Sequence, residues 1–202
     1  MMGTETGWAW PWWVVMVVIN AANIGLAIWV YKRSEHPRDG LDMIYRNRMT
    51  IMGFIFVLVG AYRSVFVSRY FLQIAWFDTL FNSSLLIRTL AVTAELSFAG
   101  LFALALLRVN ADLPGDDSKL NAVKTFFMKQ SPYFLVLCIF LAQFFAYGGL
   151  IMKSKTSFAI EESLWSLGFV SILPLAFMQW KRVKATSDDS LRMLKSSTRL
   201  IL

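Results

Sequence analysis

Two side chains of opposite charge lie inside a segment that is otherwise apolar enough to cross a lipid bilayer. Arg88 and Glu95 are seven residues apart within 85–107, which is about two turns of a helix. A charge near the middle of a bilayer costs about 2.5 kcal/mol or more, so such a residue usually faces protein or water. The chemistry to expect is therefore either ion pairing between helices or the transfer of a proton or ion across a membrane.

The depth of each charge follows from the helical rise. At 1.5 Å per residue, Glu95 lies about 15 Å from the outer end of its span and Arg88 only about 5 Å from it. Arg63, in the preceding apolar segment, falls at a depth between these two. We therefore predict that Arg63 and Glu95 form the ion pair, with small residues such as Gly53 and Gly60 letting the two helices dock closely.

A second group of polar residues is predicted near the outer membrane interface. It consists of Arg69, Asp78, Glu161 and Glu162. We expect one of these carboxylates to bind Arg88. The segment 68–83 is aromatic yet charged, which favours an interfacial connector or a re-entrant turn. It is also the place where a lipid or another ligand would bind if Arg69, Asp78 and Arg88 formed a site.

Three amides are predicted near the middle of the membrane. They are Asn20 and Asn23 in the first span and Gln143 in the fourth. Interhelical hydrogen bonds from such side chains contribute about 0.6 to 2 kcal/mol each, enough to hold helices together without any transport role. A translocation path or a ligand site stays open as the other interpretation. Glu95 is its strongest candidate, because an amide would hold helices at a lower desolvation cost.

The composition indicates a polytopic membrane protein. Of 202 residues, 57% are hydrophobic and only 16% are charged, more apolar surface than a soluble core needs. The formal net charge of +7 does not predict nucleic-acid binding, because the basic residues lie between apolar segments and at the C-terminus. We predict an all-α bundle of five transmembrane helices, at about 8–31, 50–67, 85–107, 132–151 and 160–180.

The distribution of lysine and arginine predicts the orientation. Fifteen of the twenty basic residues lie in three segments, 32–49, 108–130 and 181–202. These segments follow the first, third and fifth predicted spans, so they would all lie on the same side of the membrane. The positive-inside rule places them in the cytoplasm or its equivalent, with the N-terminus outside and the C-terminus inside. We expect a single transmembrane domain over 1–180. The basic tail at 181–202 is then either an interfacial amphipathic helix or a solvated segment.

Several kinds of chemistry are disfavoured by what the chain lacks. It has one histidine, His36, and one cysteine, Cys138. A bis-histidine haem, a zinc hydrolase, a di-iron carboxylate centre and a disulfide framework each need more ligands or thiols than this. We therefore predict no metal site and no cofactor, and we do not expect an enzyme.

The function that these observations favour is that of a non-catalytic integral membrane subunit within a larger membrane complex. In that interpretation a buried Arg/Glu pair holds the bundle together. One alternative is a channel or proton-coupled transporter that uses Glu95, and a second is a lipid- or ligand-binding membrane protein. The expected partners are membrane lipids and other membrane subunits or further copies of the chain, not nucleic acid. The expected location is a membrane of unspecified identity.

Overall fold

Five long α-helices make up the computed structural model, which describes residues 9–34, 40–67, 79–113 and 122–185. A short 3-10 helix, Leu80–Asn82, precedes the third of them, and these residues contain no strand. Each α-helix is long and apolar enough to cross a membrane by length and composition. The prediction of an all-α protein with five spans is therefore confirmed. In chain order the helices are α1 (Ala9–Arg33), α2 (Gly40–Val65), α3 (Ser84–Asp112), α4 (Ala122–Met152) and α5 (Lys155–Ala185).

The helices are longer than the apolar segments that predicted them. Both α2 and α4 begin ten residues before the predicted spans, and α4 and α5 have 31 residues each. A helix of that length is about 46 Å long, whereas the hydrocarbon core of a bilayer is about 30 Å thick. The added turns of α2 carry charged side chains such as Arg46 and Arg48. Hydropathy thus locates the part of each helix that lipid tolerates, and it does not locate the helix ends.

The chain divides into two compact units, Met1–Phe98 and Ala99–Leu202, and α3 runs through both. In the first unit α1 and α2 pack as an antiparallel pair, since Trp13 of α1 contacts Val65 of α2 while Ser34 contacts Arg46. The amino-terminal part of α3 meets α2 where the rings of Phe56 and Phe98 stack with centroids 5.2 Å apart.

The second unit is built on a hairpin of α4 and α5. The backbone N–H of Ser154 donates to the carbonyl of Gly149 at 3.1 Å, and Lys153 takes a positive φ of 52° in this tight turn. Along the interface, a Cβ placed on Gly168 would lie 3.1 Å from Cys138 Cβ. Glycine at 168 therefore allows the two helices to approach more closely than any larger residue would.

Candidate functional site

A buried arginine and a partly buried glutamate of the first unit form an ion pair inside α3. Arg88 Nη1 lies 3.4 Å from Glu95 Oε1, and Arg88 Nη2 lies 3.3 Å from Glu95 Oε2. The two side chains are only 10% and 18% exposed. Seven residues correspond to nearly two full turns, so both side chains leave the same face of the helix and meet along it. The pair brings the formal charge of this apolar stretch to zero.

This arrangement corrects the predicted pair between Arg63 and Glu95. Arg63 is exposed on α2, and it makes no ion pair with a described residue. The error has a geometric cause. Arg63 comes one residue before Ser64, which faces α1, and successive residues are rotated by about 100° around a helix. The prediction paired Arg63 with Glu95 by their similar depth in the membrane, and it did not consider the direction in which each side chain leaves its helix.

An asparagine and a serine join α1 to α2 near the carboxyl end of α2. The amide nitrogen of Asn20 donates to Ser64 Oγ at 2.6 Å and to the carbonyl of Met16 at 2.9 Å. A Cβ on Gly60 would lie 3.3 Å from Asn20 Oδ1, so this glycine gives the amide room. The small-residue face predicted to dock α2 against α3 is thus used, at these positions, to dock α2 against α1.

The two ends of the same helix pair have their own contacts. The indole N–H of Trp13 donates to the carbonyl of Val65 at 3.2 Å, which satisfies one of the open carbonyls at the end of α2. At the opposite end Arg46 Nη2 donates to Ser34 Oγ at 2.8 Å, and its guanidinium carbon lies 5.2 Å from the centre of the Tyr31 ring. The pair is therefore held at both ends as well as between them.

The remaining predicted polar residues take different positions. Asn23 is exposed on α1, whereas Gln143 is buried in α4 and donates to the carbonyl of Ile139, one turn earlier, at 2.9 Å. On α5, Glu161 is buried and Glu162 is exposed. Arg69 and Asp78 lie outside the described residues, as does the part of the basic tail after residue 185.

A further polar contact, between α5 and α3, was missed by the sequence analysis. Gln179, which is 1% exposed, donates through Nε2 to the carbonyl of Leu106 at 2.8 Å. One turn later Arg182 donates to Asn110 Oδ1 and to the carbonyl of Leu113, both at 3.2 Å. The bond to Leu113 satisfies a carbonyl just past the end of α3. The available signal was that Gln179 and Arg182 are three residues apart, hence on one face of a helix.

The polar contacts of the described residues connect neighbouring helices. Among the described residues, no group of three or more His, Cys, Asp or Glu side chains is placed to hold a metal ion. The polar contacts above join helix to helix or pair charges within one helix. A comparison of the chain with protein-family models, with curated proteins and with solved structures gives no match.

Proposed function

We propose that this chain is a non-catalytic integral membrane subunit of a larger membrane complex. The observation that carries the proposal is the exposure of α1. None of the most apolar 18-residue stretch of this helix is buried. Lipid or the helices of other subunits must cover that surface, because apolar side chains do not remain in water.

One face of α1 is suited to close contact with another helix. Ala21, Ala22 and Gly25 are all exposed, and a Cβ on Gly25 would meet no atom within 4 Å. In membranes, small residues spaced by four allow two backbones to approach, since van der Waals packing and not hydrophobicity drives the association. Ala21 and Gly25 have this spacing, so we assign this face to a helix of a partner subunit.

The ion pair of α3 supports the same function. A single unpaired charge inside a span would favour a role in conduction or transport. Here Arg88 and Glu95 compensate each other within one helix, so the carboxylate has a structural reason to be present. The proposal includes the predicted topology, with the N-terminus outside, and holds that the protein is not an enzyme.

A second candidate is a channel or proton-coupled transporter. The observation that favours it is the 18% exposure of the Glu95 side chain, which leaves the carboxylate incompletely sealed. If Glu95 carried protons, Glu95→Gln would abolish flux in liposomes while the protein remained folded. Unchanged flux in that variant would eliminate Glu95 as the carrier.

The subunit proposal is tested by extracting the protein from its native membrane in mild detergent. The band that contains this chain is separated on a native gel and identified by mass spectrometry. We expect a fixed set of other polypeptides in it. Gly25→Leu should release the chain from that band, because a large side chain would separate the helices at the proposed face.

Gly53→Leu is the matched control for this experiment. It is the same substitution within a helix, and a Cβ at Gly53 also meets no atom within 4 Å. We expect it to leave the assembly intact. Equal loss of the complex in both variants would contradict the assignment of the Gly25 face as the interface.

A further inference from the structure

A groove of about 650 Å³ runs between α1 and α2, toward the end of the pair where α1 ends and α2 begins. Most of its lining is apolar, from side chains such as Leu26, Val30 and Phe54. Asn23 lies at one end, and Ser34 lies at the other, eleven residues or about 16 Å further along α1. The groove thus has the length and polarity of a site for a hydrocarbon chain with a polar group at one end.

A positioned arginine marks that polar end. Arg46 lines the groove, and Ser34 Oγ accepts from both its Nε, at 3.2 Å, and its Nη2, at 2.8 Å. The guanidinium carbon also lies 5.2 Å from the centre of the Tyr31 ring, a cation–π contact that helps to hold the group in place. Nη2 also donates to the carbonyl of Tyr31, at 3.5 Å. Of the five N–H donors of an arginine, the two on Nη1 bind no described residue, and they can donate to the oxygens of a phosphate.

The charges around this arginine favour an anion. Arg48 lies on the next half-turn of α2, and Lys32 and Arg33 end α1, while Asp42 lies one turn before Arg46. The end of α1 and the first turns of α2 therefore carry four basic side chains and one described acid, of which Arg46 lines the groove. Basic pockets between transmembrane helices are the sites at which anionic lipid headgroups bind.

We propose that this groove binds an anionic phospholipid, with the phosphate on Arg46 and one acyl chain lying between α1 and α2 toward Asn23. Gly53 lines the groove, and the absence of any atom near the position of its Cβ keeps space for the chain. The site is at the end of the helix pair where α1 ends and α2 begins, whereas the segment 68–83 considered in the sequence analysis follows α2 in the chain. It does not depend on the proposed role as a complex subunit.

Native mass spectrometry of the purified full chain, with phosphatidylglycerol or phosphatidylcholine added to the detergent, tests this proposal. We expect one phosphatidylglycerol to be retained in preference to phosphatidylcholine. Arg46→Gln should weaken that binding by at least about tenfold, the expected effect of losing a hydrogen bond to a charged group. Arg48→Gln makes the same change of charge outside the groove lining and should reduce binding by less than about threefold.

A second variant keeps the test valid if Arg46→Gln does not fold. Gly53→Leu leaves Arg46 in place and fills the groove, so it should also remove the bound lipid. Gly25→Leu, on a face of α1 outside the groove lining, should retain it. In the assembly test the expectations are opposite, because Gly25→Leu should lose the complex and Gly53→Leu should keep it. The failure of either proposal is therefore distinguishable from the failure of the other.

Four results would overturn the inference. Retained binding in Gly53→Leu would show that no chain lies in the groove. An equal loss of phosphatidylglycerol binding in Arg46→Gln and Arg48→Gln would show that general surface charge, and not a site at Arg46, holds the lipid. Displacement of the lipid by millimolar inorganic phosphate would indicate an anion site without an acyl-chain site. A change of oligomeric mass in Gly53→Leu, without loss of lipid, would assign the groove to a second copy of the chain.

Discussion

Removing both members of the ion pair in α3 should destabilise the protein by less than the sum of the costs of removing each member alone. Losing one partner of a buried pair costs about 3 to 5 kcal/mol when nothing else compensates the charge that remains. Arg88 keeps further interactions when Glu95 is removed, so the loss of Glu95 costs less. The N···O distances of 3.3 and 3.4 Å exceed the roughly 2.7 to 2.9 Å of the strongest charge-assisted bonds. The Glu95 side chain is also 18% exposed, which further lowers the expected cost. We therefore expect Glu95→Leu to cost about 2 to 3 kcal/mol.

The double variant measures the interaction energy between Arg88 and Glu95 apart from the other contacts of each residue. Arg88→Met should cost at least as much as Glu95→Leu, since Arg88 is the more buried partner and takes part in further interactions. Changing both residues removes both charges, so the cost should fall below the sum of the single costs by about 1.5 kcal/mol or more. The free energy of unfolding is measured by reversible titration with SDS in mixed micelles, followed by tryptophan fluorescence.

Arg63 provides the matched control for this cycle. Arg63→Met removes the same charge from a residue that is exposed on α2. Its effect should add to that of Glu95→Leu within about 0.5 kcal/mol, as expected for residues that do not interact. Additivity between Arg88 and Glu95, or coupling as large between Arg63 and Glu95, would refute the account of the charge pair.

Three further changes test the contacts between helices. Ser64→Ala removes the hydrogen bond from Asn20 and should lower the free energy of unfolding by about 1 kcal/mol in the same titration. Arg182→Gln should increase hydrogen exchange at the carboxyl end of α3 by about tenfold, whereas Lys181→Gln, the neighbouring change of charge, should not. Gly168→Leu should separate α4 from α5 and lower the temperature of unfolding by several degrees, because a Cβ there already lies in tight contact.

Each of these changes has a result that would count against the structure. Unchanged stability in Ser64→Ala would mean that the 2.6 Å contact contributes nothing. Equal exchange in the Arg182 and Lys181 variants would show that the end of α3 is not held by α5. An unchanged unfolding temperature in Gly168→Leu would contradict the close packing of the α4 and α5 hairpin.

The number and type of the helices were predictable because lipid imposes a strong and local constraint. Five apolar stretches with few charges are each long enough to cross a bilayer, and the structure has a helix at each of them. The helix ends were not predictable in the same way. The predicted span begins at residue 50 because the residues before it are too polar for the bilayer core. Those residues can still form helix in the interface or in water, so α2 begins at Gly40.

The partners of the polar residues were harder to predict than the residues themselves. Arg88, Glu95 and Asn20 were all recognised from their position in apolar segments. The choice of Arg63 for Glu95 was wrong because helix rotation decides which side chains meet, and hydropathy gives depth alone. Asn20 bonds to Ser64 for the same reason, since both face the α1 and α2 interface.

Contacts between distant segments left almost no local signal. Gln179 and Leu106 are 73 residues apart, and their hydrogen bond exists only because α5 packs against the end of α3. The groove between α1 and α2 is a similar case. Its lining comes from two helices, and its charged end depends on Arg46 reaching Ser34 across the helix pair.

The central claim is that this chain works as one subunit of a larger membrane complex. Mild extraction from the native membrane, native gel separation and mass spectrometry of the band that contains the chain test it most directly. The account predicts co-migration with a fixed set of other polypeptides, lost in Gly25→Leu and kept in Gly53→Leu. A band that contains this chain alone, as a monomer or as a homo-oligomer, would contradict the claim and make proton flux through Glu95 the next question.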